Sequence, residues 1–177
     1  MSEEKLLREK RDWVIPQTYD WKEIRSQFNI DFEILNYIKT SIKSDNQKNL
    51  EDILNESISY IRNLPQDWDD DNAPKFKEET IRRTSELVRE ICHQIWEAEI
   101  EIPPPKIQHT SNGSIDINWE SEKFELLINI PDDIDKSVNF FGEHLGHPED
   151  DIANRMNYVL VLEMIISWLK KIHALMR

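Results

Sequence analysis

Pro103, Pro104 and Pro105 stand together in the chain, and the apolar residues keep a different period on either side of them. Three fixed φ angles and three absent N–H donors cannot continue a helix. A polyproline stretch is a semi-rigid spacer that directs the chain into its next element. Upstream, Leu50, Ile53, Leu54, Ser57, Ile58 and Ile61 recur at helical intervals, and Ile81, Val88, Ile91, Ile95 and Trp96 carry a second long helix from about Phe76. Downstream, Ile115, Ile117 and Trp119 alternate with Asp116, Asn118 and Glu120, and Phe124, Leu126, Ile128 and Ile130 alternate with Glu125, Leu127 and Asn129. These are two half-buried strands joined by a short Ser-Glu turn, which predicts antiparallel pairing.

Lys106–Thr110 reads as a preceding strand, with Asn112-Gly113 as a two-residue hairpin turn. Val138–Phe141 reads as a fourth strand after the turn Pro131–Asp135. At Pro148-Glu149-Asp150-Asp151 a helix is expected to open, because proline and acidic residues suit the positive end of its dipole. It would run through the apolar stretch Tyr158–Leu169 to Lys170, Lys171 and His173. At the other end of the chain, Trp13, Val14 and Ile15 before Pro16 suggest an extended anchor. Asp20 with Glu23 suggests a helix cap for Trp21, Ile24 and Phe28, with Asp31 capping a second helix through Phe32, Leu35, Ile38 and Ile42. Lys43–Asn46 and Pro65–Pro74 read as loops.

The expected fold class is therefore α+β: N-terminal helices, a long helix, an antiparallel meander of three or four strands, and an apolar C-terminal helix. Residues 1–64 would form a helical part and residues 65–177 a helix–meander–helix unit, the two making one compact body. A length of 177 residues fits that size.

Charge narrows the partners. The chain carries −13, and residues 112–151 alone hold eleven acidic against two basic side chains. Phosphate backbones are bound by clusters of Lys and Arg, so direct nucleic-acid binding is not expected. Three glycines argue against phosphate-cradling loops, and the single Cys92 excludes an internal disulfide or a Cys-based zinc site. No apolar signal segment is visible in MSEEKLLREKRDW. The twelve residues Tyr158–Leu169 fall short of the roughly 20 that span a bilayer. A cytoplasmic location, no membrane and no cofactor are the expectations.

Leu64, Pro65, Trp68 and Asp69, followed by a proline-ended helix, Asn112-Gly113-Ser114-Ile115 and Trp119, form a recognisable pattern. It resembles a widespread uncharacterised bacterial family that reads L-P-x-x-W-D-G, a helix, P-x-P, then D-G-x-I-x-x-x-W. The resemblance covers about residues 64–130. Asp70 stands where that family has glycine, and Asn112 where it has aspartate. The resemblance implies a helix packed on a meander, no catalytic residues, and a regulatory role beside toxin–antitoxin, CRISPR-linked or other defence genes.

Two clusters hold groups capable of chemistry. Asp67, Asp69, Asp70 and Asp71 surround Trp68, and hard cations take oxygen ligands from such loops, but the glycine and ligand order of an EF-hand are missing. Glu143, His144, His147 and Asp150 form E-H-x-x-H-x-x-D, which differs from H-E-x-x-H in spacing and is broken by Gly142, Gly146 and Pro148. Asp69, Asp71, His144 and His147 are accordingly the metal-ligand candidates. Cys92 lies beside Ile91 with His93 pointing elsewhere, and His109 and Ser114 near the hairpin lack a third group for a triad.

The leading expectation is a non-enzymatic regulatory protein that binds another protein with a basic surface. Trp13, Trp68, Asp116, Glu120, Glu125, Asp132 and Asp133 are its candidate contacts, and a homodimer is a further outcome. A metal-dependent hydrolase using Asp67–Asp71 or His144/His147 is one alternative; an acidic mimic of nucleic acid is another. Val159, Leu160, Leu162, Ile165, Ile166 and Leu169 spread around their helix, so they cannot all face one core. The N-terminal helices are expected to cover most of the remainder.

Overall fold

The computed structural model describes residues 32–100 and 102–175. The chain divides into two compact units, Met1–Ser41 and Ile42–Arg177. The expectations for Trp13–Pro16, for the helix capped by Asp20, for docking through Trp13 and for cover by the N-terminal helices fall outside the described residues.

Helix α1 spans Phe32–Asn63 and α2 spans Glu78–Glu97. Strands β1 (Lys106–His109), β2 (Ile115–Glu120), β3 (Phe124–Ile130), β4 (Val138–His144) and β5 (Ile152–Met156) follow, and α3 (Tyr158–Leu175) closes the chain. The strands pair antiparallel with their sequence neighbours in the order β1-β2-β3-β4-β5. The α+β class and the meander are as the change of period predicts, with one strand more.

Three local readings are corrected. Lys43–Asn46 is no loop but the middle of α1, which runs unbroken; Asp45 and Asn46 are exposed there, and a turn without apolar residues shows no period. Pro148 opens only a single 3-10 turn, Pro148–Asp150, and β5 lies between it and α3. The α3 cap is Asn157, whose Oδ1 accepts from the Val159 amide at 2.9 Å. The β1–β2 turn has three residues, not two: the Thr110 amide donates to Ser114 O at 3.1 Å, and the Gly113 amide donates to Thr110 O at 3.2 Å. Gly113 takes φ +83 in this turn, the left-handed position that a three-residue hairpin needs.

Helix α2 stops before the prolines. The Ile100 amide reaches Ile95 O at 3.1 Å and the Glu99 amide reaches Trp96 O at 3.0 Å, with Glu99 at φ +56. This is a Schellman ending, and Ile95 and Ile100 both enter the core behind it.

Ile117, Trp119, Phe124, Leu126, Ile128, Ile130, Val138 and Phe140 point to one face of the sheet and are buried against α2 and α3, and Ile115 on the same face is buried with Ile58, Ile61, Phe76 and Ile81. Fully burying a side chain of this size contributes about 1.5–3 kcal/mol. Ile165, Ile166 and Leu169 of α3 are buried, Leu162 is half-buried, and Val159 and Leu160 are exposed, so the helix is two-sided. Arg83 of α2 lies 5.0 Å over the Tyr158 ring, whose hydroxyl donates to Arg83 O at 2.7 Å. No helix among the described residues is long and apolar enough to cross a membrane.

The loop between α1 and α2 holds Asp67, Asp70 and Asn72 at φ +62, +58 and +66. A left-handed residue other than glycine costs about 1–2 kcal/mol, less for Asp and Asn. Asp70 is exposed. Asp70→Gly is therefore expected to raise the unfolding free energy by up to about 1 kcal/mol, and Asp70→Val to lower it by at least about 1 kcal/mol. Urea denaturation of the two variants checks both signs.

Candidate functional site

Because side chains alternate along a strand, the pairing register assigns each residue to a face. On the face away from α2 and α3, three rows run across the strands. Glu120, Glu125 and Glu143 form one row; Lys106, Asn118, Leu127, Phe141 and Ala153 form the next; Gln108, Asp116, Asn129, Asn139 and Arg155 form the third. Among the described residues no helix covers this face. Leu127 is 40% exposed and Phe141 44%, and the two are directly opposed on β3 and β4.

The polar groups around this pair are partly spoken for. The Asn129 amide donates to Asp116 Oδ1 at 2.6 Å and to Ser114 Oγ at 2.8 Å. Glu120 takes Lys106 Nζ at 2.5 Å and the Asn118 amide at 2.7 Å. Arg155 Nε donates to Asn139 at 2.7 Å. Glu125 and Glu143 have no cationic partner among the described residues. Of the expected contacts, Asp116, Glu120 and Glu125 share this face. Asp132 and Asp133 do not: they lie in the β3–β4 turn, about 20 Å from Glu125 at 3.3 Å per strand residue. Asp132 is ion-paired to Lys77 at 2.6 Å, and Asp133 Oδ1 accepts from the Asp135 amide at 3.0 Å. Phe141 and Glu143 escape sequence reasoning, and the signal that would find them is the β3–β4 register; Leu127 is set on this face by its alternation along β3.

Trp68 is half-buried beside the smaller apolar cluster. It packs with Ile58, Ile61, Phe76, Ile81 and Ile115, and its ring meets His109 edge-on at 4.5 Å. Tyr60 and Phe76 flank the same imidazole at 5.4 and 6.2 Å. The aspartates beside it hold backbone. Asp67 Oδ1 accepts from the Asn72 amide at 2.6 Å, and Asp69 Oδ1 accepts from the Asp71 and Ala73 amides at 3.0 and 3.1 Å. The loop packs on the hairpin through Pro74, whose Cγ would lie 3.0 Å from a Cβ placed on Gly113. Leu64, Trp68, Pro74, Gly113 and Ile115 thus meet at one end of the sheet, whereas Trp119 lies four residues further along β2.

His144 ends β4, buried, with its ring stacked on His147 at 4.5 Å and 26°. Its Nδ1 lies 3.0 Å from Asp150 Oδ2. Asp150 also accepts from Lys171 Nζ at 2.7 Å, and its carbonyl accepts from Trp168 Nε1 at 2.7 Å. The arrangement ties the 3-10 turn to α3 and β4. Among the described residues no three His, Cys, Asp or Glu side chains are placed to hold a metal ion. Burial pushes the Cys92 thiol up to about 12, so it stays protonated and inert at neutral pH.

The Lys171 ammonium and then the His144 ring hold the Asp150 carboxyl below the usual carboxylate range. A depressed folded-state pKa gives stability that is present above the unfolded value, near 4, and is lost as pH falls through the folded value. Asp150→Asn is expected to lower stability at neutral pH and to flatten its loss below about pH 4. Urea midpoints measured across that range test this.

No family model, no curated protein and no solved structure matches the chain.

Proposed function

We propose that this chain is a non-enzymatic cytoplasmic regulatory protein, and that another protein docks on the open face of its sheet. The observation that carries the reading is the exposed Leu127–Phe141 pair, set in a face whose carboxylates outnumber its cations. Binding energy concentrates in a few apolar and aromatic anchors ringed by polar groups, which is the pattern here. A place beside bacterial defence genes is supported by the Leu64–Trp119 resemblance. The alternative of a hydrolase draws less support, since Asp67 and Asp69 are turned onto their own loop.

The test compares wild type with Leu127→Ser/Phe141→Ser in capture from the native host. A partner held by wild type should be lost at least tenfold from the variant. Exposed positions of this kind change stability by less than about 0.5 kcal/mol, so the urea midpoint should hold. Undiminished capture of the same partner would refute the docking face.

A further inference from the structure

The open face has a direction. Along the strands it reads Glu125-Leu127-Asn129 on β3 and Asn139-Phe141-Glu143 on β4, one apolar residue per strand. Across the strands it reads Leu127, Phe141, Ala153 without interruption. Beside that apolar row, about 6.5–7 Å away along each strand, run Glu120, Glu125 and Glu143. Like charges placed directly opposite one another on neighbouring strands repel. Lys106 answers only Glu120, and this row would be relieved by cations from outside.

We infer that the occupant of this face is an amphipathic α-helix lying across the strands. Its apolar stripe covers Leu127, Phe141 and Ala153, and Lys or Arg on successive turns of one flank meets Glu120, Glu125 and Glu143. The inference rests on the docking face proposed above and names the chemistry of what docks there. The spacings favour a helix. Neighbouring strands are about 4.8 Å apart, so the carboxylate row covers roughly 10 Å. Two helical turns advance about 10.8 Å, a mismatch that long cationic side chains absorb. An extended peptide repeats a face every 6.6–6.8 Å and falls out of step by about 2 Å at each strand.

A helix body of about 10 Å is also wide enough to cover the apolar row and reach the acidic one beside it. A second copy of this chain fits less well. It would bring a further −13 to a face that already holds Asp116, Glu120, Glu125 and Glu143 against Lys106 and Arg155.

Fluorescence anisotropy of two stapled 18-residue peptides against the full chain tests this. Both carry leucines at i, i+4, i+7 and i+11; one has lysines on a single flank and the other glutamates. The lysine peptide should bind at least tenfold tighter. Glu125→Lys/Glu143→Lys should reverse that preference, Glu125→Gln should weaken it, and Leu127→Ser/Phe141→Ser should weaken the lysine peptide at least tenfold. Circular dichroism confirms that each variant is folded. Equal binding of both peptides, lost in Leu127→Ser/Phe141→Ser, would overturn the basic helix while sparing the docking face. Binding indifferent to Leu127→Ser/Phe141→Ser would overturn the face itself. Failure of both peptides to bind would overturn the helix, and a wild-type dimer dissolved by Leu127→Ser/Phe141→Ser would make a second copy the occupant.

Discussion

Replacing Trp119 with alanine is expected to remove about 3–5 kcal/mol of unfolding free energy. Trp119 is completely buried on β2, opposite Leu126, in the cluster that joins the sheet to α2 and α3. Truncation removes its transfer free energy and leaves a cavity that the flanking strands, fixed by their ladders, cannot close. A loss of that size is a large share of the 5–15 kcal/mol that stabilises an ordinary domain. Trp119→Phe is the informative companion. The indole Nε1 has no hydrogen-bond partner among the described residues, and a buried donor left unpaired costs about 1–3 kcal/mol. Phenylalanine removes that donor along with some packing, so its loss should stay below about 1.5 kcal/mol. Urea denaturation of both variants decides the matter, and equal losses would show that the indole N–H is not the offsetting factor.

Gly142→Ala should cost about 1–3 kcal/mol, although it adds a single methyl group. Gly142 sits on the inner face of β4, opposite Leu126 and Ile152. A Cβ there would lie 2.9 Å from Cζ2 and Cη2 of Trp168 and 3.0 Å from Cγ1 of Ile152. The Trp168 ring has little room to yield, since Nε1 is bonded to Asp150 O and Phe124 meets the ring edge-on at 5.9 Å. The added methyl should therefore push on the bond that holds the 3-10 turn. Denaturation followed by tryptophan fluorescence should show a lower midpoint and an altered folded-state emission. A midpoint equal to wild type would mean that the ring moves freely.

The same two residues show what the sequence discloses. Trp119 is legible as core because it alternates with Asn118 and Glu120 on a strand buried on one side. Gly142 reads as a helix breaker beside His144, whereas its role is close approach to a ring on an element more than twenty residues away. Strand β5 is hidden for a related reason. Ile152–Met156 lies at the sheet edge with only its end residues half-buried, so its alternation is too shallow to stand out beside the helix-like Pro148–Asp151. Asp116, Glu120 and Glu125 are predictable as an exposed face from β2 and β3 alone. That Phe141 and Glu143 join them depends on how β4 aligns with β3. Around Trp68 the composition alone does not disclose that Asp67 and Asp69 each turn a carboxylate oxygen onto the loop's own amides.

The order β1-β2-β3-β4-β5 also governs how fast this unit assembles. Each strand finds its partner across a short connection, so little closure entropy opposes any single pairing. The meeting of α2 with α3, exemplified by Tyr158 and Arg83, by contrast joins residues 75 positions apart. Folding rates fall as contacting residues become more distant in sequence. The hairpins should accordingly zip in sequence order with low barriers, leaving the closure of the two helices over the sheet as the step that sets the rate.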